Sequence, residues 1–367
     1  MDKFVKVFKI PYNINKKILE NKSLDFNEAM EKTERVQDLD RFDDCYTDIV
    51  DYIIRCTHRI WQENNVGLLY SHYAKNVEIN IGSIKENHGV DDTLSNTMQR
   101  LHSMPNRKGI VQNVIWSGNA SEGFYTSHRG ISIGNNMGDT VYGPGRGKKF
   151  KISSVADCES IRNKITKEWL IRDNLYFVSQ LGYNPREMAV RLVREQKARS
   201  SSPENILETS AVTTGHVEPT LYIPEHQGNF DIGDFILEFF NKIHQRKLIG
   251  CVKHFYADNA NLHFVCDKDL IGFHQIRGML ISFYSSFPKA QITVERVTCN
   301  QIAEADDWDV AVRWRISGLN EGLGYFGSPS DNQVEILIVN HFKILSGKII
   351  EEWMLFDGMD VLKQMYK

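Results

Sequence analysis

What this 367-residue chain lacks narrows its identity. No apolar run approaches the ~20 residues a membrane-spanning helix needs. The opening Met1-Asp2-Lys3-Phe4-Val5-Lys6 has neither the apolar stretch nor the small-residue cleavage site of a secretion signal. The six cysteines (Cys45, Cys56, Cys158, Cys251, Cys266, Cys299) form no CxxC pair and no metal-ligand spacing, so they read as small, reduced core residues of a cytoplasmic protein. An excess of one charge is also missing. Lys and Arg number 44 against 47 Asp and Glu, leaving a net charge of −3 and no basic field to draw in nucleic acid or a membrane surface. Gly143-Pro144-Gly145-Arg146-Gly147-Lys148 is glycine-rich but lacks the GxxxxGK[ST] order of a phosphate loop, and reads as a hairpin tip.

What is present is ordinary for a globular protein: 41% apolar and 25% charged residues. Residues 1–39 form a mixed N-terminal extension, with a short strand expected near Val5–Ile10 and a helix within Asp25–Arg35. From Asp40 a helical period sets in, with Cys45, Ile49, Tyr52, Ile53, Cys56, Ile60 and Trp61 at three- and four-residue steps. Strand-like runs then follow to Asp173, separated by turns such as Arg162-Asn163. Helices first and strands later argue for an α+β fold over 40–182. Residues 183–229 read as a linker carrying one helix, and the opening pattern returns over 230–367.

That return is the strongest internal feature. At an offset of 183, Tyr73, Ala74, Asn76, Gly89, Ser103 and Pro105 recur as Tyr256, Ala257, Asn259, Gly272, Ser286 and Pro288. At 184, Arg129, Gly134, Gly138, Gly143, Glu168, Trp169 and Asp173 recur as Arg313, Gly318, Gly322, Gly327, Glu352, Trp353 and Asp357. The chain therefore reads as a tandem of two related α+β domains.

Alternation along a strand puts Trp169, Ile171 and Asp173 on one face, and Trp353, Leu355 and Asp357 on the matching face of the second copy. A carboxyl in line with an indole and an aliphatic suits an apolar pocket with one proton-handling group. A cap on the following helix is the competing reading for both Asp173 and Asp357. By the same alternation His128 points inward, as a donor to a bound oxygen or as a buried, satisfied histidine, while Arg129 and Arg313 fall on an outer or interface face. Candidate pocket walls are Trp61, Tyr73, Asn80, Trp116 and Trp169 in the first copy, and Tyr256, His263, Trp314, His341 and Trp353 in the second. Exchanges such as Asn80 for His263 and Asp157 for His341 suggest two differently lined pockets.

Tyr73-Ala74-x-Asn76, Tyr142-Gly143-Pro144-Gly145, Ile165-Thr166-Lys167-Glu168-Trp169-x3-Asp173-Asn174 and Gln180-Leu181-Gly182 resemble the SnoaL-like polyketide cyclases, also called ester cyclases, of the nuclear transport factor 2-like superfamily. Arg313-Trp314, Phe326-Gly327 and Ile349-Ile350-Glu351-Glu352-Trp353-x3-Asp357 resemble the same family, so the likeness covers about 40–182 and 230–367. The resemblance implies two cones, each a curved sheet wrapped on N-terminal helices with a pocket at its open end, paired through their sheet faces internally or as a homodimer. It also implies intramolecular aldol-type cyclisation or isomerisation of a hydrophobic carbonyl compound, with Asp173 and Asp357 as acid/base and no metal or organic cofactor. A non-catalytic binding or interaction protein of the same fold is the alternative. The second copy departs from the family pattern at Asp357-Gly358 and Gln364-Met365-Tyr366.

Overall fold

The computed structural model describes residues 12–15, 26–86, 89–199, 230–302 and 306–367. The strand expected near Val5–Ile10 and most of the 183–229 segment lie outside the described residues. In chain order the elements are β1 (Tyr12–Asn15), α1 (Phe26–Glu31), α2 (Ile49–Trp61), α3 (Leu68–His72), β2 (Tyr73–Ile81), β3 (Ile84–Glu86), α4 (Gly89–Ser103), β4 (Lys108–Asn119), β5 (Gly123–Asn135), β6 (Lys149–Ile161), β7 (Lys164–Arg172), α5 (Asn174–Gln180) and α6 (Pro185–Arg199). The second half contains α7 (Ile232–Phe239), a π-turn over Phe240–Gln245, a short 3-10 turn, α8 (Val252–Phe255), β8 (Tyr256–Phe264), β9 (Lys268–Ile271), α9 (Gly272–Ser285), β10 (Gln291–Gln301), β11 (Trp308–Leu319), β12 (Gln333–Leu345), β13 (Lys348–Phe356) and α10 (Gly358–Met365). Among the described residues no helix is long and apolar enough to cross a membrane.

The fold is α+β, with two mixed sheets. The first runs β3-β2-β7-β6-β5-β4 and the second β1-β10-β11-β12-β13-β8-β9. Leaving β1 aside, the two orders are the same arrangement of equivalent strands. Each sheet has one parallel pair among its repeat-equivalent strands, β2 with β7 and β8 with β13. β1 adds to the second sheet alone, parallel to β10. The register slips at matching places, between Val111 and Asn113 and between Val294 and Arg296, and again between Glu159 and Ser160 and between Lys343 and Ile344. Such bulges bend a strand and increase its twist, which lets an open sheet wrap onto its helices. The β6–β7 hairpin turns on Arg162 and Asn163, at φ 49° and 66°, and its counterpart on Ser346 and Gly347, at 49° and 67°. Paired positive φ values match the right-handed twist of the flanking strands.

One face of each sheet packs against the other half. Arg313 stacks on Trp169 at 3.5 Å and Arg129 on Trp353 at 3.7 Å, a reciprocal exchange between equivalent residues. Arg313 also donates to Asp157 at 2.9 Å and to Glu295 at 2.9 Å, so its buried charge is paired. Val155 and Ile171 of the first half join the same buried cluster as Val339 and Leu355 of the second. The two halves therefore share one continuous apolar seam.

Candidate functional site

The opposite face of the first sheet, with α2, α3 and α4, encloses a cavity of about 1300 Å³. Small-molecule sites are commonly about 300–1000 Å³, so this one has room for a polycyclic compound. Its strand-borne wall follows from the register. Cys158 of β6 pairs with Thr126 on one side and Glu168 on the other, Ala156 with His128 and Leu170, and Asp157 with Ser127 and Trp169. Side chains alternate, so His128, Cys158, Glu168, Leu170 and Arg172 face the cavity, and Trp169 faces the seam.

Glu168 is the carboxylate placed inside. It is buried at 8% exposure and accepts from the Tyr73 hydroxyl at 3.2 Å. Burial pushes its carboxyl above the ordinary value; the Arg172 charge and the Tyr73 hydrogen bond pull it partly back. His128 shares the chamber, with its Nδ1 buried and without a hydrogen-bond partner. Burial holds its imidazole down to about 4 against a weaker opposing pull from Asp157, so near neutral pH it is an uncharged ring. Trp61 and Tyr73 line the wall, and Arg107 lies over the Trp61 ring at 5.0 Å.

The other expected site residues are distributed elsewhere, and the physical reasons are specific. Asp173 is 2% exposed, caps α5 by accepting from the Tyr176 amide at 3.1 Å, and accepts from the Cys266 amide of the second half at 2.5 Å. Both oxygens are taken by backbone N–H groups and the residue does not line the cavity, which is the geometry of a helix cap. Burial raises it to about 6 all the same, so a raised carboxyl need not mark a working one. Asp357 likewise caps α10, accepting from Met359 at 2.9 Å and Asp360 at 3.3 Å, and it takes the Asn174 side-chain amide at 2.6 Å. It also lines the first-half cavity. Trp169, Trp353, Asn80, His263 and His341 belong to the sheet faces at the seam and do not line this cavity. Asn80 is in register with Trp169 and His263 stacks on Trp353 at 4.8 Å. His341 meets Ser127 at 2.8 Å. Trp116 holds Asn300 through its backbone at 3.0 and 2.7 Å, another contact between the halves.

Tyr256 and Trp314 are interior, but the interior of the second half is filled. Trp314 is fully buried, donates to Asn340 at 2.7 Å and packs edge-on against Phe240 at 5.3 Å. The equivalences explain the difference. Thr57, Arg100, Gly130, Cys158 and Arg172 around the first-half cavity correspond to Phe240, Phe283, Trp314, Phe342 and Phe356. Aromatic rings thus occupy the volume that smaller or polar residues leave open in the first half. The residues missed from sequence are Glu168, Arg100, Arg107 and Arg172. Glu168 was in view as the residue before Trp169 in both copies of the repeated stretch.

Residues 234–365 match the model of the family described as SnoaL-like polyketide cyclase. The match falls on the filled half. No curated protein matches the chain. Solved structures similar to it include a candidate SnoaL-like polyketide cyclase from Jannaschia sp. CCS1, 21% identical over 38% of this chain and 98% of that one, TM-score 0.33. IdmH, a candidate polyketide cyclase from Streptomyces antibioticus, is 16% identical over 36% of this chain and 96% of its own, TM-score 0.32. A SnoaL-like polyketide cyclase from Agrobacterium tumefaciens is also 16% identical, covering 36% and 96%, TM-score 0.29.

Proposed function

With residues 234–365 matching the SnoaL-like polyketide cyclases, we propose that the chain is a cyclase- or isomerase-type enzyme whose working chamber lies in its first half and whose second half is a filled scaffold. The observation that carries this reading is Glu168, a buried carboxyl with raised basicity, hydrogen-bonded to Tyr73 on the wall of an apolar cavity. Such a group removes a proton from carbon next to a carbonyl. The enolate carbon then bonds to a second carbonyl of the same molecule, and the new alkoxide takes the proton back from Glu168. The uncharged His128 supplies a hydrogen bond to the oxygen on which charge develops. The shape of the chamber holds the two carbons in reach of one another. The substrate class is a hydrophobic, polyketide-like carbonyl compound.

The test is deuterium uptake next to the carbonyl, followed by mass spectrometry across a panel of apolar diketones and ketoesters in heavy water. Uptake is expected with the unaltered protein and with Asp173→Asn, and not with Glu168→Gln. Uptake that vanishes in Asp173→Asn while that variant stays folded, or persists in Glu168→Gln, overturns the assignment.

A further inference from the structure

Three guanidinium groups line the chamber: Arg100 on α4, Arg107 in the turn after it, and Arg172 at the end of β7. They sit near enough to oppose one another's charge. Burial holds Arg100 well below its ordinary value, and Arg172 and Arg107 lower it further; Arg107 is held down to about 10 by burial and then by Arg172. Among the described residues no carboxylate pairs with Arg100 or Arg107, and Nη1 of Arg107 is buried without a hydrogen-bond partner. The fold itself does not require these charges, since Phe283 and Phe356 stand at the places of Arg100 and Arg172 in the second half. Half-buried cations such as Arg100 and Arg107, with no carboxylate beside them among the described residues, are costly, and a bound anion offsets that cost.

We propose that Arg100, Arg107 and Arg172 form an oxyanion subsite, and that the ligand of the chamber is an apolar molecule with a carboxylate-type head. This rests on reading the chamber as a binding site, as above, and it narrows the substrate class to a hydrophobic acid. Glu168 and Arg172 share one face of β7 four residues apart, roughly 13 Å along a strand. The apolar body lies against Leu170, which falls between them on the same face.

Paired fluorescent probes test it in the full chain: 8-anilinonaphthalene-1-sulfonate, which is anionic, and N-phenyl-1-naphthylamine, its neutral counterpart. In the unaltered protein the anionic probe should bind about tenfold or more tighter than the neutral one, the increment of a charge-assisted hydrogen bond. The double variant Arg100→Gln/Arg107→Gln should lose that preference while its affinity for the neutral probe stays within about twofold. If the double variant does not fold, the unaltered protein decides alone: 1-naphthaleneacetate should displace the neutral probe at least about tenfold better than its methyl ester. Equal displacement by acid and ester, equal probe affinities, or a preference that survives the double variant overturns the subsite. Glu168→Gln should keep the anionic preference. Loss of deuterium uptake with that preference intact leaves the two readings separately decided, as does uptake without any preference.

Discussion

Glu168→Gln is expected to lower turnover by about 10²–10⁴-fold, the usual contribution of a positioned general acid–base group. The substitution nearly preserves volume, and the side-chain oxygen of glutamine still accepts from the Tyr73 hydroxyl. What is lost is the ability to hold a proton between its removal from carbon and its return to oxygen. The carboxyl is raised by burial, so its removal relieves a desolvated charge and should leave the fold at least as stable. A fall in rate with an unchanged melting temperature is therefore the signature. The pH–rate profile offers a second check. Its acidic limb should report a carboxyl displaced upward, while His128, held down to about 4, should contribute no limb near neutrality. An inactive variant that also melts several degrees lower would point to a structural role.

The second large effect lies in the filled half. Glu352 is 1% exposed and accepts from the Tyr256 hydroxyl and the Asn340 amide, and Asn340 in turn accepts from Trp314. Burial pushes Glu352 from an ordinary 4.5 up to about 7, with the Tyr256 and Asn340 hydrogen bonds pulling the other way. Between those values the folded chain keeps a proton that the unfolded chain releases, so this group costs stability as pH rises from about 4.5 to 7 and costs no more above. Burial raises Asp173 and Asp357 from 3.8 to about 6 each, with the same sign over a lower window. His128 and His244, held down to about 4 and about 3, act in the opposite sense below their ordinary value of 6.5. The difference between Glu352→Gln and the unaltered chain removes these other groups. It should be near zero below pH 4.5 and grow to about 3 kcal/mol in favour of the variant above pH 7, at 1.36 kcal/mol per unit. Urea midpoints at pH 5, 6, 7 and 8 would measure it. A difference that does not change with pH would mean that Glu352 stays ionised in the folded chain.

The α+β character and the recurrence at 183 and 184 residues were legible because helical period, alternation and turn residues are local. The inward placement of His128 and the outward placement of Arg129 and Arg313 were legible for the same reason. The relation between strands was not. His128 and Trp169 were both expected inside, yet the register pairs His128 with Leu170 across Ala156 and leaves Trp169 opposite Asp157. Alternation fixes the faces of one strand only, and bulges such as the one between Glu159 and Ser160 shift how faces line up across neighbours. A step of one residue separates Glu168 and Arg172, which line the cavity, from Trp169 and Asp173, which do not. The hollow in one half was partly legible, since Gly130 opposite Trp314 and Cys158 opposite Phe342 are differences in volume. The arginine cluster was not, because α4, its following turn and β7 come together only in the folded chain.

Met359 and Lys363 of α10 also line the first-half cavity, with Leu192 and Gln196 of α6. During synthesis the strands of the first sheet leave the ribosome long before these residues do. The nascent first half therefore carries an unroofed, solvent-filled trough until about 180 further residues have been made. Enzyme activity or ligand capture in ribosome-bound chains should appear only after α10 emerges. An excised first domain would make a poor stand-in for the whole in any search for the natural ligand.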